Sequence, residues 1–535
     1  MTRNLVWTIA AALMLLPTPG AAQKAARAAP LPRVEEVSLS ELSTMLDARR
    51  TTAEALVRAY RARIAAMDRA GPRLRSIIAL NPDALAQARA LDAERRAGRV
   101  RGPLHGVPIL VKDNIETKDP VATTAGSLAL ANNVTNRDAP VIARLRAAGA
   151  VILGKTNLSE WANIRSTNSM SGWSAVGGLV RNPYALDRTA CGSSSGTGAA
   201  VAASFAAAGI GTETDGSVVC PSAMTGLVGL KPTVGAVSRT HIVPISHSQD
   251  TAGPMTRSVA DAALLYSAMV GSDPADPATA EADRHRRDYA AGLGTPALKG
   301  VRIGVIRPQM PAALAQRYDA ALAVLRASGA VLVEVTQPKT PGVGDAEFDV
   351  LKMELKSDLN TYLATTPAAV KTRTLAQVIA FNRANATAEM PFFGQEIFEA
   401  AEKTGGTHDP AYAAARAKSL DGAVAALKAM MDKADARLLV SPTYGMAWLS
   451  DPVYGDKFSG PSASELPAIA GWPHLTVPMG LAKGLPVGIS FIGPAWSERA
   501  LLEAGAAYEG AAKARVTPRY VASAEVGPGL AGTVK

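Results

Sequence analysis

Short runs of aliphatic residues recur along the chain and alternate with segments of helical periodicity. Helical patterns over 141–148 and 313–327 separate several of these runs. Strands that alternate with helices are typical of a largely parallel sheet covered on both faces. The pattern therefore predicts an α/β fold, with strands at 107–111, 151–153, 301–306, 331–335, 438–440 and 488–492.

Start signals predict three helices before the first strand. Residues 38–41 and 51–54 each place a hydroxyl side chain three positions before a glutamate, which is the capping-box pattern of a helix N-terminus. A third helix is predicted from Asn81 as the cap and Pro82 in the first helical position, ending near Gly98.

The first 22 residues have the layout of a secretory signal. A short basic start precedes the apolar stretch from Leu5 to Leu16, and small residues precede a cleavage site near Ala22. This stretch falls short of the roughly 20 apolar residues that span a bilayer, so we expect export and no stable membrane insertion once the signal is removed. The expected location is the periplasm or the exterior of the cell.

Three other segments depart from the α/β pattern. Residues 23–37 are predicted to be a flexible N-terminal segment, and residues 522–535 a loose tail without periodicity. From about 345 to 435 the chain is helical and polar, with no strand signal of comparable strength. This segment is interpreted either as a helical insertion that shapes a pocket or as plain surface packing.

The composition indicates a globular chain with a large core, because 48% of its residues are hydrophobic and 19% are charged. The length after the signal fits two to four ordinary domains or one large α/β unit. The net charge of +10 does not indicate a nucleic-acid partner, because the basic residues are scattered. Their densest cluster, Arg284–Arg287, is flanked by Asp283 and Asp288 and is interpreted as a solvated helix face.

Two serines in glycine-rich turns and one upstream lysine form the strongest chemical pattern. Ser193 lies in Cys-Gly-Ser-Ser-Ser-Gly, and Ser217 lies in Gly-Thr-Glu-Thr-Asp-Gly-Ser. Lys112 follows the apolar run Val-Pro-Ile-Leu-Val. Together these side chains offer a nucleophile, a relay and a base, which are the parts of a serine hydrolase built without histidine.

Other chemistries lack the sequence context that they need. Residues 192–196 match Gly-x-Ser-x-Gly, but no strand precedes them as a nucleophile elbow requires. No serine has a lysine three residues later, which excludes a β-lactamase type of site. The six histidines are dispersed, which argues against a zinc site. Residues 149–156 and 527–532 match nucleotide-binding spacings, yet the first has an apolar middle and the second lies in the tail.

Six segments, taken in order, resemble the amidase signature family of amide hydrolases over nearly the whole mature length. They are residues 103–114, 154–161, 181–184, 191–231, 248–261 and 485–493. The resemblance implies the amidase signature fold: a single large α/β/α domain over 38–521, with a mixed, largely parallel central sheet covered by helices on both faces. Around Ser217 the sequence looks most like peptide amidases, which remove the C-terminal amide group of peptides.

The resemblance also implies a Ser/cis-Ser/Lys triad. Matched by motif, Ser217 is the nucleophile that forms the acyl-enzyme, Ser193 is the bridging serine in a cis peptide, and Lys112 is the base. A lysine acts as a base near neutrality only if burial depresses its pKa from about 10.4. Backbone donors of an oxyanion hole are expected from Thr214, Asp215, Gly216 and Ser217.

The only two cysteines, Cys191 and Cys220, each lie within three residues of a candidate catalytic serine. A disulfide between them requires Cα atoms within about 7 Å of each other. We expect two small buried thiols instead, because a strained crosslink beside the nucleophile would restrict its geometry.

One position departs from the wider family. Many members have an arginine where this chain has Val219, and in some of them this arginine binds a substrate carboxylate. Its absence favours an uncharged or extended substrate, such as a peptide amide or another primary carboxamide. The expected reaction is hydrolysis of that amide without a cofactor or metal.

Two alternatives stay open at this point. One is an aryl-acylamidase or a fatty-amide or ester hydrolase of the same family, with a wider apolar channel. The other is a non-catalytic or complex-dependent binding subunit, which the complete set of candidate catalytic residues disfavours. The sequence is compatible with a monomer or a homodimer. Four tryptophans are candidates for an apolar pocket but are more often core residues: Trp161, Trp173, Trp448 and Trp472.

Overall fold

The computed structural model describes residues 1–2, 31–294 and 298–524. Residues 3–22 of the expected signal, residues 23–30 of the expected flexible segment and residues 525–535 of the expected tail lie outside the described residues. By its contacts the chain divides into Met1–Leu31 and Pro32–Lys535. All the elements given below belong to the second unit.

The described part of the chain forms one sheet of eleven strands and a separate two-stranded ribbon. The ribbon consists of β4 and β5. The strands are β1 Ile77–Leu80, β2 Pro108–Lys112, β3 Val151–Thr156, β4 Trp173–Ser174, β5 Gly178–Leu179, β6 Ala208–Glu213, β7 Val228–Lys231, β8 Thr251–Thr256, β9 Arg302–Ile306, β10 Val331–Val335, β11 Leu438–Pro442, β12 His474–Ala482 and β13 Leu485–Ile492.

Helices cover the sheet and connect many of its strands. They are α1 Leu39–Asp47, α2 Ala53–Met67, α3 Ala84–Arg96, α4 Pro140–Ala147, α5 Ser195–Ala202, α6 Val219–Met224, α7 Val259–Met269, α8 Ala312–Ala327, α9 Val343–Ala364, α10 Leu375–Ala384, α11 Ala386–Glu389, α12 Glu396–Glu402, α13 Tyr412–Ala434, α14 Glu465–Ile469 and α15 Glu498–Ala512.

The sheet is mixed, and its parallel pairs lie toward its two ends. The strand order is β1-β3-β2-β6-β8-β7-β12-β13-β11-β9-β10. β2 runs parallel to β3 and β6, and β9 runs parallel to β10 and β11. From β6 to β11, across β8, β7, β12 and β13, neighbouring strands are antiparallel. The fold class predicted from the sequence, α/β with a mixed sheet flanked by helices, is confirmed. The sheet was expected to be largely parallel, and it has four parallel and six antiparallel strand pairs.

All six aliphatic runs form strands, whereas the edge strand β1, the ribbon and the central strands β6, β7, β8 and β12 were not predicted. These central strands carry residues that weaken a strand signal: β6 reads Ala-Gly-Ile-Gly-Thr-Glu and β8 reads Thr-Ala-Gly-Pro-Met-Thr. Glycine and proline are depleted in strands in general. Here every residue of β6 and β8 is buried, so tertiary packing decides their conformation.

Two of the predicted helix starts shift by one or more residues. Ser38 caps α1 with a complete capping box, as expected. The α2 cap is Thr52 rather than Thr51, because the Asp92 carboxylate accepts the amides of Ala53 and Glu54 and fixes the first turn there. The third helix begins at Ala84, where Asp83 is the cap residue.

The segment from 345 to 435 forms helices α9 to α13. Apolar side chains of α9 and α10 join a second core with Leu130, Trp161 and Ile164 from the loops after β2 and β3. The helical segment is thus packed against the loops that lead away from the strand ends. Among the described residues no helix combines the length and apolar character needed to cross a membrane.

Candidate active site

The candidate base and nucleophile lie at the carboxyl ends of two neighbouring parallel strands. Lys112 is the last residue of β2, and Ser217 follows the end of β6 by four residues. The two strands pair through Leu110 with Gly209 and Val111 with Ile210. Carboxyl ends of parallel strands meet at one edge of a sheet, which is where α/β proteins commonly place ligand sites.

Ser193 reaches this edge from the turn that precedes α5. The peptide bond between Gly192 and Ser193 is cis, as the family resemblance implies. Gly211 on β6 allows the turn to come close, because a Cβ at that position would lie 2.7 Å from Ser194 Oγ. The hydroxyl of Ser194 donates to the carbonyl of Thr212 and accepts its amide, at 3.1 and 3.2 Å.

The side chain of Lys112 is fully buried and held by three oxygens. Its Nζ donates to Ser193 Oγ at 2.7 Å, to Thr212 Oγ1 at 2.8 Å and to the Thr212 carbonyl at 3.2 Å. Asn114 also donates to Thr212 Oγ1, at 2.9 Å. Thr212 therefore fixes the position of the amine relative to Ser193.

Burial lowers the pKa of Lys112 to about 7, against the opposing influence of the Asp250 and Glu213 carboxylates. A neutral amine has two N–H bonds and one lone pair. If the two N–H bonds serve the two oxygens of Thr212, the lone pair faces the Ser193 hydroxyl. The geometry thus permits Lys112 to accept a proton from Ser193.

The turn that carries Ser217 is shaped by two contacts. Glu213 Oε2 accepts the amides of Val218 and Val219, at 2.7 and 2.9 Å, and so holds the start of α6. Gly216 has a φ of +75°, and a Cβ there would lie 2.1 Å from the hydroxyl oxygen of Tyr444. Glycine is therefore required in front of Ser217 for both conformational and steric reasons.

The Ser193 and Ser217 turns meet, but no hydrogen bond joins the two hydroxyls. Contact is made by the Ser194 amide, which donates to the Ser217 carbonyl at 3.2 Å. Ser217 lines a cavity together with Gly192 and Asp215, the catalytic cavity, and its hydroxyl has no hydrogen-bond partner among the described residues. Catalytic hydrogen bonds are often long before substrate binds and tighten in the complex.

The expected oxyanion donors lie on the same turn. Thr214, Asp215 and Ser217 all line the catalytic cavity. The amides of Asp215 and Ser217 have no backbone acceptor among the described residues, whereas the Gly216 amide lies near the Glu213 carboxylate. The turn is therefore placed to offer N–H groups to an oxygen in the cavity, and its role in the reaction stays a prediction.

Cys191 and Cys220 form a disulfide, with Cα atoms 6.0 Å apart. The expectation of two separate thiols was wrong. Both cysteines belong to the wall of the catalytic cavity. The turns that hold Ser193 and Ser217 are in contact, since the Ser194 amide donates to the Ser217 carbonyl. Cys191 and Cys220 lie next to these turns, at a separation that a disulfide spans.

The catalytic cavity has a volume of about 300 Å³. Its wall includes Ile164, Leu351, Tyr444, Trp448 and Phe458 besides the disulfide. Of the four tryptophans considered above, Trp448 lines this cavity. The other three are buried in apolar packing: Trp161, Trp173 and Trp472.

A second cavity of about 360 Å³ adjoins the catalytic cavity, since Thr214 and Ile245 line both. Asn114, Thr212 and Thr214 belong to its lining. Asp250 also faces it and accepts the Thr214 hydroxyl at 2.6 Å. Burial raises the pKa of Asp250 to about 6.

One cluster of possible metal ligands occurs among the described residues. Ligand atoms of His247, Glu354 and Asp358 lie within 4.8 Å of one another, at the margin of the second cavity. His247 is in contact with Asp358 at 2.9 Å, and Tyr412 donates to Glu354 at 2.6 Å. These contacts join the loop before β8 to α9 and α13, and none of the three residues lines the catalytic cavity.

Several site residues were missed by the sequence reasoning. Thr212 lies in the motif that contains Ser217, so its position in that motif could have identified it as a site residue. Leu351, Tyr444 and Phe458 come from distant parts of the chain and carry no local signal. The structure brings the expected residues Lys112, Ser193 and Ser217 to one place.

A family model described as Amidase matches residues 55–502. The fold and the site define an amide-hydrolysing enzyme. The chain belongs to the amidase family.

Relatives and solved structures cover nearly the whole chain. A probable amidase from Arabidopsis thaliana is 37% identical over 500 residues, which is 91% of this chain and 92% of the relative. The native peptide amidase from Stenotrophomonas maltophilia is 49% identical with a TM-score of 0.87, covering 92% of this chain and 100% of its own. One component of the glutamyl-tRNA(Gln) amidotransferase from Pseudomonas syringae is 35% identical, covering 89% of this chain and 97% of its own.

Removing the disulfide should destabilise the protein without unfolding it. The bridge closes a loop with a sequence separation of 29 residues, and the chain-entropy model assigns such a loop about 3.5 kcal/mol. In a chain of this size that corresponds to a Tm lower by about 3 °C. Calorimetry of the Cys191→Ala/Cys220→Ala double variant checks this, and wild type reduced with dithiothreitol should behave the same. An unchanged Tm in fully reduced protein would contradict it.

Proposed function

We propose that the protein is an exported amidase that hydrolyses primary carboxamides, above all the C-terminal amides of peptides. Its acyl-enzyme forms on Ser217, and the products are a carboxylic acid and ammonia. The observation that carries this proposal is the buried amine of Lys112, which lies 2.7 Å from Ser193 Oγ and has a pKa lowered to about 7.

The proposed proton route uses the contact of Lys112 with Ser193 and requires the Ser193 and Ser217 hydroxyls to form a hydrogen bond when substrate binds. Neutral Lys112 accepts the Ser193 proton while Ser193 accepts the proton of Ser217, whose oxygen attacks the amide carbon. The amides of the turn Thr214–Ser217 stabilise the negative oxygen that develops. The proton then returns through Ser193 to the leaving nitrogen, so that ammonia departs, and water attacks the acyl-enzyme by the same route in reverse order.

The substrate class is supported by the cavity and by the relatives. A solved structure described as the peptide amidase PAM in complex with the competitive inhibitor chymostatin is 49% identical to this chain, with a TM-score of 0.88. Val219 places no cation two residues after the nucleophile. A cavity with aliphatic and aromatic walls suits the uncharged end of a peptide amide better than it suits a dicarboxylate half-amide.

Export rests on the sequence of the first 22 residues. We expect the mature N-terminus near Gln23 when the full-length gene is expressed in a bacterial host with a functional secretion system. N-terminal sequencing of periplasmic protein checks this. Intact Met1 on protein confined to the cytoplasm would refute the export part of the proposal and leave the chemistry untouched.

The Ser217→Ala variant should lose ammonia release from an acetylated, C-terminally amidated peptide. Removing a nucleophile of this type lowers kcat by a factor on the order of 10⁴ or more. Coupled detection of ammonia measures both proteins. A matched control is Ser222→Ala, because Ser222 lies on the next helix and its hydroxyl has no hydrogen-bond partner among the described residues.

Three results would change the assignment. Equal release by wild type and Ser217→Ala would show that the nucleophile is elsewhere. Activity of wild type on anilides or esters alone would favour an aryl-acylamidase or ester hydrolase. Activity on none of these substrates would favour the complex-dependent subunit.

The pH dependence of kcat/KM should report the ionisation of Lys112, the proposed base. Lys112 must be neutral to accept a proton, and its pKa is lowered to about 7. kcat/KM for an uncharged peptide amide should therefore fall tenfold per pH unit below about 7 and level off above it. Circular dichroism at each pH verifies that the protein stays folded. A profile that is flat down to pH 5, or one that rises only near pH 10, would contradict the assignment of Lys112.

A further inference from the structure

The exposed apolar loop 449–458 reaches the rim of the catalytic cavity at Phe458. Four of the eleven large hydrophobic side chains that are exposed in the described residues lie within residues 449–458. They are Leu449, Val453, Tyr454 and Phe458. Phe458 is 47% exposed and also lines the cavity. A concentration of exposed apolar groups beside a cavity marks a binding surface.

Ring contacts connect this rim to the nucleophile turn. The Tyr444 hydroxyl lies against Gly216, the residue before Ser217. Tyr444 packs edge-to-face on Phe458, with ring centroids 5.7 Å apart. Phe458 packs in the same manner on Trp448 at 5.8 Å. The rim therefore begins one aromatic ring beyond the turn that holds the nucleophile.

A polar anchor holds the loop in place. The Asp456 carboxylate accepts the Trp448 indole N–H at 2.9 Å and the Ser171 amide at 3.0 Å. The Ser171 hydroxyl also donates to it, at 2.5 Å. The amide of Asp456 donates to the Ser169 carbonyl at 3.3 Å. These hydrogen bonds fix the loop next to Phe458, whose ring lines the cavity and is partly exposed.

The proposed chemistry determines what can occupy the rim. When ammonia is the leaving group, almost the whole substrate lies on the acyl side of the scissile bond. With its amide carbon at Ser217, the residue that carries the amide would lie beside Tyr444, whose hydroxyl lies against Gly216. A peptide advances about 3.3–3.6 Å per residue, so the residue before it reaches Phe458.

We propose that Phe458 and Trp448, with the loop 449–458, form a subsite for an apolar or aromatic side chain on the residue that precedes the amidated one. This inference rests on the proposed function, because it assumes that the acyl part of the substrate fills the cavity. The occupant is the substrate peptide, since the rim is continuous with the cavity that contains Ser217.

The test compares N-acetyl-Phe-Ala-NH₂ with N-acetyl-Gly-Ala-NH₂, which differ in that one side chain. Calorimetry measures their binding to the Ser217→Ala protein, and ammonia release measures their turnover by wild type. Partial burial of a phenyl ring should favour the Phe peptide about tenfold in both measurements. Phe458→Ala should remove most of this preference, and Phe458→Leu should retain part of it.

Val331→Ala is the control variant. Val331 is also an exposed apolar residue, 42% exposed on β10, but it lies at the far end of the sheet and should leave the preference unchanged. Equal binding of the two peptides to Ser217→Ala would overturn the subsite, as would a preference that survives Phe458→Ala. Concentration-dependent dimerisation that Phe458→Ala abolishes, together with equal binding, would show that a second copy covers the rim.

The two proposals fail in different ways. Tenfold tighter binding of the Phe peptide without ammonia release would refute the proposed function and retain the subsite. Ammonia release from both peptides at equal kcat/KM, with equal binding, would retain the function and refute the subsite.

Discussion

The site depends on keeping the amine of Lys112 out of water while leaving it hydrogen-bonded. An unpaired buried ammonium is very unfavourable, so burial favours the neutral form. The two oxygens of Thr212 make that neutral amine acceptable in the interior. Ser194 in turn fixes the backbone of Thr212, and Gly211 leaves the space that Ser194 needs. Gly211 and Thr212 of β6 thus both serve to position the Lys112 amine.

The sequence predicted the fold class and the chemical parts of the site because both rest on local patterns. Aliphatic runs predicted β2, β3, β9, β10, β11 and β13, and the motifs around Ser193 and Ser217 identified the turns. The central strands β6 and β8 were not predicted, because their conformation is imposed by neighbouring strands on both sides. The disulfide was not predicted because the two turns meet only in the folded structure, where the Ser194 amide donates to the Ser217 carbonyl, and no spacing along the chain indicates this contact.

Electrostatics sets the second constraint on this region. Glu213, Asp215 and Asp250 surround the strand end, and burial raises the pKa of each. Glu213 is tied to the start of α6 and Asp250 to Thr214, so two of the three carboxylates hold the nucleophile turn from opposite ends. Negative charge near Lys112 works against its neutral form, and the lowered pKa shows that burial is the stronger influence.

The candidate reaction centre and the apolar part of the cavity wall have different origins in the chain. Lys112, Thr212 and Ser217 stand on the central sheet or directly after it, where a change of backbone would disturb several strands at once. Leu351 comes from α9 and Phe458 from a surface loop, and each can be exchanged without moving the sheet. In evolutionary terms, selection can therefore alter which amides such an enzyme prefers while the reaction centre stays the same, and relatives that share the strand ends can differ widely in what they accept.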